Sequence, residues 1–337
     1  MIKSEVVKSM GEVRSLKLTD LGIVYGLAKK GGLVDPVFAR VHRLSPVGTA
    51  MFSLLPGVKG GSYTFVSRGK DSGGVVQVRK RWDGYNADLT FLAPYVEEND
   101  RERWLLLLNG AAEELKEQGT IKLYARVPSD GLEKEVFLNA GFQMYAEETL
   151  MEMPPRYDLP ELIEQPSGIY LGCNRTHLRR LYSRVTPPMV QRWESSLEQY
   201  DPPGWDCFRG HVVMWFGSDG NPLGAVYVEQ GVRGALLQGL LIEPPPDGSR
   251  EFLIKAISML WNRMTPCFAL VRSYQPGLRS LLLEIGFEEK ARFTAAVRNI
   301  ALPAMVKSAV TQRAEAGNGV VAGLTPSRME ANIQNKR

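Results

Sequence analysis

The sequence predicts an α/β protein of layered α+β type, made of two similar halves, each a mixed, mostly antiparallel sheet flanked by helices. Three repeated features predict it. A short helix closing on Gly-Phe occurs twice, as Phe137 to Phe142 (FLNAGF) and as Leu282 to Phe287 (LLEIGF), its glycines 145 residues apart. Ahead of each stands a short apolar strand, Ile121 to Val127 and Cys267 to Arg272, rich in the β-branched and aromatic residues strands favour. Ahead of each strand stands a helix with a single apolar stripe: Trp104, Leu108, Ala111 and Leu115 in one case, and Leu253, Ile257, Leu260 and Met264 in the other. That spacing lays one helical face on a sheet.

The remaining elements fall in the same order in both halves. Thr19 and Asn174 fit as N-caps of first helices, with apolar residues four and eight positions on: Ile23 and Leu27, then Leu178 and Tyr182. Val75 to Lys80 and Ala225 to Gln230 alternate as strands and run into glycine turns at Gly84 and Gly231. Asp88 to Ala93 and Ala235 to Ile242 follow as strands, each stopped by a proline, Pro94 or Pro244. Six correspondences in one order identify a duplication. The expected architecture is two seven-stranded sheets related by a pseudo-twofold. Domains are expected over 1–153 and 169–302, joined by a proline-marked linker over 154–168. A polar tail over 303–337 is expected to be solvated and disordered.

Composition narrows the function classes. With 337 residues, 44% hydrophobic and 23% charged, the chain suits two ordinary globular cores. Three of its four net positive charges lie from Pro303 onward, leaving 36 basic and 35 acidic residues in the body. No concentrated basic face is expected, hence no nucleic-acid partner. Cys173, Cys207 and Cys267 form an odd, scattered set, which fits a reducing cytoplasm. His42, His177 and His211 stand at no metal-ligand spacing, so no metal is expected. No apolar run approaches the ~18 residues a membrane helix needs, and Met1 to Gly11 lacks the apolar segment of a secretory signal. The glycines of Gly57 to Gly61 and Gly69 to Gly74 lack the Lys-Ser/Thr of a phosphate-binding loop and read as turns. No G-x-S-x-G elbow is present. Trp193, Trp205 and Trp215 suit either a core or a substrate groove.

A strand ending in proline, a helix, a strand, then a helix closing on Gly-Phe resembles the GCN5-related N-acetyltransferase (GNAT) superfamily. Leu89 to Gly119, LYARVPSD and NAGF at 139–142 carry the resemblance most specifically, and LLEIGF anchors the second copy. The whole looks like a tandem GNAT protein, laid out like the two-domain mycothiol synthases. The resemblance implies transfer of an acetyl group from acetyl-CoA to an amine on a small molecule or peptide. It also implies a gap between the fourth and fifth strands that takes the pantetheine arm, and a loop and helix start that take the pyrophosphate.

The two halves depart differently from that pattern. In the first, the phosphate-loop positions hold Glu97, Glu98, Asp100 and Glu102, which repel phosphate and favour their own helix start instead. That half is expected to be a scaffold. In the second, Gly248, Ser249 and Arg250 follow three prolines and suit a phosphate, so the arm is expected on Leu240, Leu241 and Ile242. The family's proton-donating tyrosine is replaced by Phe137 and Leu282. Tyr274 stands in as a candidate acid, with Glu229 and Glu243 as candidate bases; the alternative for each is a structural role. The competing reading of the whole is a catalytically inactive GNAT-fold binding module.

Overall fold

A computed structural model describes residues 12–33, 35–42, 45–55, 61–68, 73–81, 83–95, 97, 101–162, 166–194, 205 and 210–301. The expected tail over 303–337, with Glu98, Asp100 and Cys207, lies outside them. In chain order the first half contains β1 (Val13–Ser15), a 3-10 turn (Leu18–Asp20), α1 (Leu21–Leu27), β2 (Gly32–Leu33), α2 (Pro36–Val41) and α3 (Pro46–Ser53). It continues with β3 (Ser62–Ser67), β4 (Gly74–Lys80), β5 (Asn86–Ala93), α4 (Arg101–Glu117), β6 (Lys122–Pro128), α5 (Leu132–Asn139) and β7 (Gln143–Met153). The second half contains β8 (Ile169–Leu171), α6 (Arg175–Val185), α7 (Pro188–Glu194), β9 (His211–Phe216), β10 (Pro222–Gln230) and β11 (Ala235–Leu241). It ends with α8 (Ser249–Leu260), β12 (Cys267–Arg272), α9 (Pro276–Ile285) and β13 (Glu288–Asn299).

The Gly-Phe signals are helix stops with one geometry. Gly141 (φ 83°) and Gly286 (φ 115°) are left-handed, a conformation a side chain disfavours. The Phe142 and Phe287 amides then bond back to the carbonyls of Phe137 and Leu282. Both phenylalanine rings are buried under the sheet. Phe137 and Leu282 are themselves core residues, so nothing at the family's tyrosine position reaches solvent. Asn174 caps α6 through the His177 amide, as its sequence position predicts. Thr19 does not cap α1. It falls inside the 3-10 turn, which Asp20 organises by accepting from Arg14 and Arg68 while fully buried.

The sheets differ from expectation. Instead of two seven-stranded sheets there is one, in the order β1-β3-β4-β5-β6-β13-β7-β12-β11-β10-β9-β8, with β2 paired to β5. The last strand of each half has crossed into the other: β13 lies antiparallel to β6, and β7 lies antiparallel to β12. β7 and β13 then pair with each other along the seam. Strand length is the physical reason. β7 and β13 run 11 and 12 residues, long enough to satisfy a neighbour on each edge. One core packs α4 and α5 against the first half (Trp104, Leu108, Phe137), another packs α8 and α9 against the second (Leu253, Ile257, Leu282). On the opposite face α2 rests Val37 and Val41 on Leu150, Phe268, Leu270 and Phe293, so a first-half helix covers the exchanged strands.

Candidate functional site

Among the described residues each half has one parallel strand pair, and each pair splays. β5 and β6 are in register only from Asn86↔Lys122 to Asp88↔Tyr124. β11 and β12 are in register from Ala235↔Cys267 to Gln238↔Leu270. Beyond those points the strands diverge into a fork, whose inner edge carries main-chain groups that a ligand or another segment must satisfy.

The first fork is filled by the chain itself. β2 pairs antiparallel with β5 at Gly32↔Leu92 and Leu33↔Phe91. The Tyr95 amide donates to the Lys30 carbonyl, and the Asp35 amide to the Thr90 carbonyl at 3.4 Å. A side chain at Gly31 would overlap Phe91, Ala93 and the Leu92 carbonyl, so the plug fits only because position 31 has none. The segment that supplies it is the connector from α1 to α2, residues 28–35. Its counterpart from α6 to α7 is Thr186 and Pro187 alone, too short to reach along β11.

The second fork is closed by side chains. Ile242 donates to the Leu223 carbonyl, so Ile242 and Leu240 turn their main-chain groups to β10. Leu241 and Gly239, one residue out of phase, turn theirs to the fork. Of the three strand residues expected to hold an arm, alternation leaves only Leu241, and it adds Gly239, which the sequence reading missed. The Leu241 carbonyl accepts from Gln275 Nε2 at 3.1 Å. Glu243 accepts from the Gly277 amide at 2.9 Å and the Leu278 amide at 3.4 Å, capping α9. At the mouth, Gly248 is left-handed (φ 84°) and opens α8, the Ser249 hydroxyl donates to the Pro246 carbonyl, and Arg250 meets Glu251 at 3.5 Å.

A cavity of about 860 Å³ runs over the α2 face of the sheet, from β4 across the seam to β10. Its floor is a ladder of alternating charges. Arg81 donates twice to Asp88, at 2.7 and 3.0 Å, and Arg79 reaches the same carboxylate at 3.4 Å. Arg126 bonds Asp35 at 3.1 Å and Glu148 at 2.8 Å, crossing β13 over Ala295, a residue small enough to let it pass. Arg272 lies 3.0 Å from Glu148 and donates to Glu194 at 2.7 Å, and Tyr182 donates to the other Glu194 oxygen at 2.8 Å. Burial alone would raise the Asp88 carboxyl, but Arg81 and Arg79 outweigh it and hold it at about 2. Glu148 is likewise held below the usual range, Arg126 and Arg272 overcoming its burial. Burial pushes the Tyr145 phenol well up, with Glu194 adding to it. Tyr145 reaches this face because β7 bulges between Ala146 and Met144 opposite β13, which resets the two-residue alternation.

The predicted site residues do not all share this cavity. Glu229 lies on its wall, 3.1 Å from Nε2 of His42, the residue that follows α2. Tyr274, just past β12, lies mostly buried beside the Thr186 hydroxyl, Arg272 and Glu194, and burial pushes its phenol up to about 12. Glu243 and Arg250 are elsewhere, at the end of β11 and the start of α8. Trp205 stacks on Tyr227 and Trp215 on Phe252, both as core. Asp35, Arg126, Glu148, Glu194 and Arg272 were all missed by sequence reasoning. For Arg126, Glu148 and Arg272 the signal was a charged residue within or ending an apolar strand, as in YARV and FALVR; Asp35 and Glu194, at helix ends, carried no such signal.

No protein-family profile matches the chain, and no curated protein matches it. Solved structures do. A GCN5-related N-acetyltransferase from Sphaerobacter thermophilus is 10% identical at a TM-score of 0.51, over 86% of this chain and 96% of that one. A tandem GNAT protein from the clavulanic acid biosynthesis pathway is 14% identical at 0.49, over 87% and 99%. A putative acetyltransferase from Pyrococcus horikoshii is 11% identical at 0.46, over 86% and 89%. The chain has the GNAT fold, a large mixed sheet flanked by helices, with its characteristic elements present in both halves. No helix among the described residues is long and apolar enough to cross a membrane, and no His, Cys, Asp and Glu group there is placed to hold a metal.

Proposed function

We propose that this protein is an acyltransferase that uses acetyl-CoA to acylate an amine, with its chemistry at the second fork. The observation that carries the reading is the difference between the forks: β2 holds the first by main-chain pairing, whereas two side-chain contacts hold the second. Acetyl-CoA would supply an acyl group already activated as a thioester. The residues present fit it in outline. Gly239 and Leu241 offer main-chain groups to an amide-bearing arm once the Gln275 amide releases Leu241. The left-handed turn at Gly248 aims the start of α8, with Ser249 and the half-exposed Arg250, at a phosphate. Tyr274 stays protonated at neutral pH, the form a proton donor needs, and lies near Arg272 and Glu194, which line the cavity. Glu229, on the cavity wall, is the better placed candidate base. The domains divide at 154–168, the first serving as scaffold, and the protein acts in the cytoplasm.

One observation favours a non-catalytic binding module: Leu241 and the start of α9 are already satisfied by Gln275 and Glu243. A thermal-shift titration with acetyl-CoA separates the readings. Acyl transfer at the second fork expects stabilisation that grows with ligand concentration and disappears in Arg250→Glu. No stabilisation of the wild-type chain at millimolar acetyl-CoA would reject the assignment.

A further inference from the structure

The cavity over the seam is lined by charges yet offers none of them to a guest. Five basic and five acidic residues stand in its wall, and each already has a partner inside the molecule. The ladder pairs all but two with one another. Of those two, Lys80 donates to the Gln118 carbonyl at 3.0 Å, and Glu229 meets Nε2 of His42 at 3.1 Å and accepts from the Tyr227 hydroxyl at 3.3 Å. An ion entering here gives up its water and meets no spare counter-charge. An uncharged guest avoids that loss. The apolar part of the wall is, by contrast, uncovered. Phe52 in α3 and Leu55 just past it line the cavity while 63% and 52% exposed. Phe38 of α2 and Tyr63 of β3 stand half-buried in the same wall. Large apolar side chains left wet inside a concave wall are where a ligand gains most by displacing water. Three of these four are rings. Two of the rings already carry a cation, Arg79 at 3.6 Å from the centre of Phe38 and the Lys80 ammonium at 5.3 Å from that of Tyr63. A saturated guest gains only buried area on such a wall, whereas an aromatic guest adds edge-to-face and offset ring contacts.

We infer that this cavity binds an uncharged aromatic molecule, seated on Phe38, Phe52, Leu55 and Tyr63. Its volume of about 860 Å³ lies in the range that takes small organic ligands. The inference deepens the acyl-transfer reading and rests on it only for the fate of the guest, which is then an aromatic amine as acceptor. The ring of such an amine draws in the nitrogen lone pair and keeps it unprotonated at neutral pH, so no carboxylate is needed to hold it. Its nitrogen attacks the thioester carbonyl and the carbon–sulfur bond breaks. The nitrogen gives one proton to Glu229 or water, and the departing thiolate takes one from Tyr274 or water.

The probes are two dyes on one skeleton, the uncharged N-phenyl-1-naphthylamine and the sulfonated 8-anilinonaphthalene-1-sulfonate, titrated by fluorescence into the intact protein without acetyl-CoA. The uncharged dye is expected to saturate at one per chain and to bind about tenfold more tightly than the sulfonate. Phe52→Ser is expected to weaken it about tenfold. Met51→Ser alters a neighbour that is 56% exposed but does not line the cavity, and is expected to leave binding unchanged. Naphthol is expected to displace the dye more readily than its saturated form, decahydronaphthol. Equal binding of the two dyes, binding that never saturates, equal displacement by the two alcohols, or the same affinity in the Phe52 and Met51 variants would overturn the inference. Acetyl-CoA and naphthylamine are then mixed with the protein and released thiol is measured. Phe52-dependent dye binding without thiol release would overturn the aromatic-amine acceptor and leave the binding site standing.

Discussion

The two forks show how one fold can keep a cleft or abolish it. The first is sealed by main chain: β2 adds as a strand to β5, and flanking hydrogen bonds at Lys30 and Asp35 extend the seal. Opening it means unpairing a strand of four or so hydrogen bonds, each worth about 1 kcal/mol net, and exposing the Phe91 and Ala93 surface beneath. The second is sealed by two side-chain groups, the Gln275 amide and the Glu243 carboxylate, with no strand to unpair. A ligand binding there with micromolar affinity, about 8 kcal/mol, easily outbids two such contacts. Connector length decides which fate each fork has.

The largest effect should come from the place where the comparison stops being one between separate halves. Glu148 is on β7 of the first half in sequence, yet it neutralises Arg126 and Arg272 from both. Glu148→Ala leaves two buried guanidiniums without their shared carboxylate and is expected to cost about 3–5 kcal/mol. Urea unfolding should lose this in one transition, because each half holds a strand of the other. Two separated transitions, with only one shifted, would break the picture of an interlocked sheet. The pH dependence has a fixed sign. Asp88 and Glu148 are both held below their ordinary values, so their contribution is complete above the ordinary carboxylate range and is lost as pH falls through their lowered values, about 2 for Asp88. Acid unfolding of the wild type should therefore steepen in that window, and the Glu148 variant should show a shallower loss.

Next in size is the second fork alone. If Tyr274 gives the proton, Tyr274→Phe lowers kcat by about 10², the low end of what a general acid contributes, because a thiol leaves without strong assistance. KM for acetyl-CoA should hold. An unchanged kcat in a folded Tyr274→Phe protein would leave water as the donor. The first fork is tested by filling its tightest point. Gly31→Ala places a methyl group against Phe91 and the Leu92 carbonyl and is expected to destabilise by about 1–3 kcal/mol. The acetyl-CoA-induced shift in Tm should be untouched by it. A lost shift would place the ligand in the first half after all.

Local chemistry made much of this fold legible. Gly-Phe at 141–142 and 286–287 announces a left-handed helix stop and a buried ring, whatever lies around it. The stripes of Trp104 and Leu253 announce which face meets the sheet. The strand exchange was illegible, because β7 next to β6 and β7 next to β12 satisfy the same alternation of residues. The plug was illegible for a related reason. A two-residue strand such as Gly32–Leu33 has no period, and only its partner makes it a strand. The charged ladder was visible residue by residue, as arginines and glutamates set in strands. That Arg126 and Arg272 meet one carboxylate depends on the exchange, which no local pattern encodes.

The smallest expected effect distinguishes two roles for one residue of the second fork. Glu243 is a candidate base by sequence, standing at the end of the fourth strand of its half. In the structure its carboxylate accepts from Gly277 and Leu278, the first amides of α9, and Gly277 has no room for a side chain because Pro245 and Glu243 crowd it. A carboxylate at a helix start is stabilised by the same unpaired amides and dipole it satisfies. Glu243→Ala should therefore cost about 1 kcal/mol of stability, the usual price of a lost cap. Glu243→Gln keeps a carbonyl oxygen for the Gly277 amide and should recover most of that loss. A base makes the opposite demand, since the amide of Gln accepts no proton, and turnover would then fall equally in both variants. Stability restored by Gln with turnover unchanged assigns Glu243 to the closure of the second fork. Turnover lost in Gln despite restored stability would return it to the chemistry, and the acceptor amine would then meet its base at the end of β11 rather than at Glu229.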